Sequence, residues 1–129
     1  MHELNPTSTL AFLRRFRLKG GVIRRFILRN TAADSVSVKL LLTVTDTTTQ
    51  EKVKLSLVIR EVDEYRFQKR PGTNVFAIRE VRIGKVDGIT FLNLDADPAD
   101  PAPKPMDYRI SDCFVAGGQI SWGIVRTKS

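Results

Sequence analysis

Acidic side chains are missing from the whole stretch between Leu4 and Ala33, although Arg14, Arg15, Arg17, Lys19, Arg24, Arg25 and Arg29 all lie within it. Cysteine occurs once, at Cys113, so no disulfide can form within the chain, and a reducing, cytoplasmic setting is expected. Histidine also occurs once, as His2, in a segment expected to fray. That leaves no base to activate a serine or cysteine nucleophile. One cysteine and one histidine cannot build a zinc centre. No apolar run approaches the ~20 residues of a membrane span. The opening Met1-His2-Glu3 is not the basic start of a secretory signal. Gly20-Gly21 and Gly117-Gly118 lack the spacing and the Lys-Ser/Thr ending of a phosphate cradle. These absences lead to the expectation of a non-enzymatic protein with no metal and no cofactor.

The acids that exist are concentrated late in the chain. Asp95, Asp97, Asp100 and Asp107 share a stretch with Pro98, Pro101, Pro103 and Pro105, which cannot be a regular element. The spacing touches that of a calcium loop. The sixth position is not glycine, however, and Met106 stands where a bidentate carboxylate is needed, so a solvated acidic loop over 95–107 is expected. Cys113 precedes an apolar run and reads as a buried, inert thiol.

At 129 residues the chain fits one domain, 1–129. An apolar share of 42% and a charged share of 27% are those of an ordinary globular protein with a core of its own. A net charge of +7 favours anionic partners, and it also keeps a small domain soluble.

Periodicity supplies the fold class. Asn5-Pro6-Thr7-Ser8 offers capping groups and a first-turn proline, and Leu10, Leu13 and Phe16 recur at helical spacing, so a helix is expected over about 8–18. From Val22 the period becomes two. Strands are expected over about 22–29, 36–45, 52–60, 74–86, 89–94 and 113–126. The alternation is clearest in Val36, Val38, Leu40, Leu42 and Val44 and in Val53, Leu55, Leu57 and Ile59, two strands expected to pair as a hairpin. A short edge strand is expected around Tyr65 and Phe67, and another near Tyr108. Pro71-Gly72 signals a type II turn, and Asp87-Gly88 between apolar runs a two-residue hairpin. Phe114 to Ile124 reads either as a final hairpin or as one strand with a glycine bulge. The expected architecture is mainly β, an antiparallel meander of six or seven strands forming a sandwich or partial barrel, with one short N-terminal helix.

The positive signal for a partner is the basic segment. Arg14, Arg15, Arg17, Lys19, Arg24, Arg25 and Arg29 are the candidate binding residues. A protein partner, or self-association covering an edge strand, is expected. Nucleic acid is the alternative, because cations there mix with Phe16 and Phe26. A third reading is a small-ligand site inside a barrel, although the strand interiors are aliphatic and carry no polar group to orient a ligand.

The run Leu10-x-x-Leu-x-x-Phe, the strand from Val22 to Leu28 and the closing Ile120-Ser121-Trp122 resemble small bacterial β-rich domains, some of them immunity proteins of toxin systems. That resemblance implies a β-rich protein that binds a protein partner and carries no catalytic residues.

Overall fold

The computed structural model describes residues 2–32, 35–97, 99 and 105–125. Among them are nine strands, one α-helix and one 3₁₀ helix, more strands than the six or seven expected. The elements are β1 (His2–Leu4), α1 (Pro6–Arg15), β2 (Phe16–Ala32), β3 (Ser35–Asp46), β4 (Glu51–Arg60), β5 (Glu64–Phe67), β6 (Arg82–Val86), β7 (Ile89–Asn93), the 3₁₀ helix (Pro105–Ile110), β8 (Cys113–Gly117) and β9 (Gln119–Val125). All strand pairs are antiparallel. One sheet has the order β1-β9-β4-β3-β2, the other β5-β8-β7-β6.

Period-two burial builds both layers. Val38, Leu40, Leu42, Leu55, Leu57, Ile59 and Ile120 from the first sheet are 0% exposed and share one core with Leu92, Cys113 and Val115 from the second and with Leu94 just after β7. A buried side chain of this size contributes about 1.5–3 kcal/mol, so these inner faces dominate the stability of the fold. The β3–β4 hairpin runs in unbroken register from Val38↔Ile59 to Asp46↔Glu51, as the alternation requires. Asp87 and Gly88 take φ of 49° and 81°, the turn that joins β6 to β7.

The helix is shorter than its sequence pattern. Asn5 Oδ1 accepts from the amides of Thr7 and Ser8, both at 2.9 Å, and Ser8 Oγ accepts from the Asn5 amide at 3.0 Å, a reciprocal cap. The helix ends at Arg15 because Phe16 is already extended and pairs with Asp46, so Phe16, Arg17 and Leu18 belong to β2 and not to a helix over 8–18. Phe12 and Leu13, not Leu10, carry its packing face; Leu10 is 56% exposed. Phe12 meets Phe16 and Trp122 at 5.4 Å. The segment expected to fray forms a strand: His2 to Leu4 pair with Trp122 to Ile120, and the His2 ring lies 4.6 Å from that of Trp122.

Other bounds also move. The first expected strand, 22–29, is the middle of β2. Lys19-Gly20-Gly21 forms a bulge there, because the register passes from Arg17↔Thr45 directly to Val22↔Thr43. Of the expected strand over 74–86, only Arg82–Val86 is strand. Residues 75–78 instead lie along the edge of β2, where the Ile23 amide donates to Phe76 O and the Gly20 amide to Ile78 O. The residues near Tyr108 form the 3₁₀ helix, so no strand lies there. The expected loop over 95–107 therefore ends in a helical turn; residues 98, 100 and 101–104 lie outside the described residues.

The last expected strand, 113–126, is neither a hairpin nor one bulged strand. β8 and β9 belong to different sheets. Beside them β4 and β5 make the same passage. The Gly118 amide donates to Arg60 O at 2.9 Å and the Asp63 amide to Ala116 O at 2.8 Å, so the two crossing segments stay hydrogen-bonded around the corner. A Cβ on Gly117 would stand 2.7 Å from Arg60 O, which explains the glycine at the point of closest approach.

Candidate partner-docking surface

With even-numbered β3 residues turned inward, register assigns the opposite face. Paired residues share a face, so Arg17, Arg25 and Arg29 on β2, Lys39 on β3, and Lys52, Lys54 and Arg60 on β4 all lie on the outer side of the five-stranded sheet. Lys39 is half-buried and the other six are exposed. Glu3 on the far strand β1 is the sole carboxylate at the paired positions of this face. Between the two basic rows run Thr45, Thr43, Leu41 and Ser37 of β3. Ser37, Ser56 and Ser121 are buried, so the centre is a low floor rimmed by long cations. Neighbouring strands are about 4.8 Å apart, which puts the rows on β2 and β4 roughly 10 Å from each other. Two cations about 7 Å apart in water repel by roughly 0.6 kcal/mol, a cost that an anionic partner would reverse.

The seven candidates from the basic segment do not form one patch. Arg17, Arg25 and Arg29 lie on this face, and Arg24 reaches it, its Nε donating to Thr43 Oγ1 at 2.9 Å. Arg14 is exposed on the helix, where its carbonyl accepts from Thr47 Oγ1 at 2.9 Å. Lys19 pairs with Glu80 at 3.5 Å beside the bulge. Arg15 serves the fold itself: it reaches Asp46 at 3.4 Å and lies over the rings of Phe16 and Trp122 at 4.8 and 5.7 Å. The hydroxyl of Thr48, more than Arg15, holds the Asp46 carboxyl below its ordinary range.

Lys39, Lys52, Lys54 and Arg60 complete the face and stood outside the candidate set. Their signal was present in the sequence, since each occupies the polar parity of an alternating strand. Only register joins them to the arginines of β2.

The outer face of the second sheet is closed. Tyr108 of the 3₁₀ helix stacks on Phe91 at 4.7 Å and 14°, and meets Phe114 edge-on at 5.4 Å. A cleft of about 730 Å³ beside it is lined by both signs of charge, among them Arg79, Lys85, Asp95 and Asp97. Burial raises the Asp95 carboxyl, against the lowering effect of Arg79. Cys113 is buried behind this sheet, and burial pushes its thiol up to about 12, so it is not a thiolate at neutral pH. Among the described residues no cluster of His, Cys, Asp and Glu could hold a metal ion, and no helix is long and apolar enough to cross a membrane.

At the flank between the edge strands β2 and β5, aromatic side chains reach solvent. Phe26 stacks on Phe67 at 4.8 Å and Phe76 meets Phe67 edge-on at 5.4 Å, while Tyr65, Phe76 and Leu28 are all nearly half exposed. Compared with known proteins, the chain matches no family model, no curated protein and no solved structure.

Proposed function

We propose that the protein is a non-enzymatic binding domain that docks an acidic protein partner on the outer face of its five-stranded sheet. The observation that carries this reading is the coincidence of Arg17, Arg25, Arg29, Lys39, Lys52, Lys54 and Arg60 on one side of three neighbouring strands. Such a field steers an acidic surface and fixes its orientation. The face carries no aromatic residue at its paired positions, so nothing there offers a stacking platform for single-stranded bases. The apolar flank beside it has the aromatic and arginine composition of protein interfaces. The likeness to immunity proteins points the same way, and a lone thiol fits a cytoplasmic setting.

The test compares retention of the protein on immobilised poly-glutamate and on duplex DNA at about 50 and 200 mM salt. The wild type should bind poly-glutamate at the lower salt, and the triple variant Lys39→Glu, Lys54→Glu, Arg60→Glu should lose that binding. Retention on DNA alone, abolished by the same variant, would replace the protein partner with nucleic acid. Retention that the variant leaves unchanged would remove this face from the function.

A further inference from the structure

A charged face attracts a partner but does not hold it in register, and the flank between β2 and β5 supplies that second requirement. β2 is the terminal strand of its sheet, and residues 75–78 cover it only around Gly20 to Ile23. From Arg24 to Arg29 no described strand lies beside it. Pairing with β3 decides which backbone groups point outward. The Val36 carbonyl accepts from the Val62 amide on the β4 side, so even-numbered β3 residues turn toward β4 and odd-numbered ones toward β2. Arg25, Ile27 and Arg29 stand opposite Leu41, Lys39 and Ser37 and bond to β3. Phe26 and Leu28 therefore direct their N–H and C=O groups into the open edge.

Side chains along this edge also alternate. Arg25 and Arg29 lie on the cationic outer face, while Phe26 and Leu28 lie on the inner side. On that inner side Leu28, Tyr65 and Phe76 are 48%, 46% and 45% exposed. An added strand would find cations along one of its faces and an apolar patch along the other. Resting on the protein-partner reading above, we infer that the partner adds an extended segment to the β2 edge as a sixth strand. Its acidic side chains take the parity facing Arg25 and Arg29, and its apolar ones the parity facing Leu28, Tyr65 and Phe76. A second copy of this chain does not fit, because two antiparallel β2 edges would set these arginines against one another.

The probe is a capped peptide of about ten residues, long enough to span the open edge, alternating Glu and Val. One control orders the same residues as a Glu block followed by a Val block, and another replaces Glu with Lys. The alternating acidic peptide should bind about tenfold more tightly than the block peptide, and the Lys version should not bind. Leu28→Pro removes an outward donor without breaking a bond to β3, so it should bind about tenfold more weakly than Leu28→Ala, which keeps that donor. Circular dichroism checks that both variants fold. If Leu28→Pro does not, methylating alternate amides of the peptide interrupts the same hydrogen bonds, with the same loss expected.

Equal binding of the alternating and block peptides overturns edge docking and leaves the acidic-partner reading standing. So does indifference to amide methylation, or equal binding by the two Leu28 variants. Failure of every Glu-rich probe, poly-glutamate included, overturns both. A solution mass of a dimer whose β2 amides are protected from deuterium exchange would give the edge to a second copy instead.

Discussion

The two sheets turn opposite kinds of outer surface to the solvent. On the four-stranded sheet the 3₁₀ helix lays Tyr108 across Phe91 and Phe114, and Tyr108 is only 3% exposed. On the five-stranded sheet the paired positions of the outer face carry seven cations, six of them exposed, around serines, threonines and the half-buried Val22, Ile27, Leu41 and Val58. Both sheets are amphipathic in the same sense on their inner sides, so packing alone does not account for the difference. The covered face carries aromatic residues that must be shielded from water. The basic face exposes chiefly long cations, which remain stable in water and mutually repulsive there. A surface of the first kind contributes to folding, whereas one of the second kind costs a little in folding and serves contact with something else.

The largest effect should come from uncovering the closed face. Tyr108→Ala removes a buried ring and its stack on Phe91, and should cost about 3–5 kcal/mol in denaturant unfolding, as large-to-small aromatic replacements do. A loss below about 1 kcal/mol would mean that this cover is not structural. Next, the corner that joins the sheets should discriminate between adjacent glycines. Gly117→Ala forces a methyl to 2.7 Å from a backbone carbonyl and should cost about 1–3 kcal/mol. Gly118→Ala meets the movable Glu61 carboxylate instead and should cost clearly less by the same measurement. Equal losses would put the strain elsewhere.

Acid should then expose a smaller contribution. The Asp46 carboxyl is depressed below 3.8 in the folded state, so the unfolded chain takes up its proton first. Its stabilisation is present at neutral pH and drains away as pH falls below about 4 through the depressed value. Stability measured against pH should therefore fall less steeply over that range in Asp46→Asn than in the wild type; parallel curves would contradict the assignment. The smallest change is expected on the basic face. Lys39→Ala with Lys54→Ala should alter stability by no more than about 0.5 kcal/mol while weakening retention on poly-glutamate. A substantial loss of stability would show that these lysines hold the sheet together.

The sequence made some of this visible and hid the rest for physical reasons. Val36 to Val44 and Val53 to Ile59 alternate because one side of each strand is dry, and that reads directly as a hairpin. Asp87-Gly88 declares its turn through backbone preference alone. The helix end is ambiguous because Phe16 and Leu18 satisfy both periods, and only pairing with Asp46 and Thr45 decides for strand. Phe76 and Ile78 alternate like a strand, yet they lie along an edge as a short bridge. No local pattern announces that Gly117-Gly118 carries the chain from one layer to the other. The candidate surface was legible as parity on each strand. It became a surface only when register aligned the strands, which also set Arg15 and Lys19 to other tasks.

The bent ribbon at the corner has a mechanical consequence. The β4–β5 and β8–β9 crossings remain hydrogen-bonded to each other, which ties the two layers together at this corner. Both should melt in one step, and the corner amides of Asp63 and Gly118, hydrogen-bonded to Ala116 O and Arg60 O, should be protected from exchange although their residues are exposed. A partner clamped on the basic layer would then stiffen the opposite layer as well.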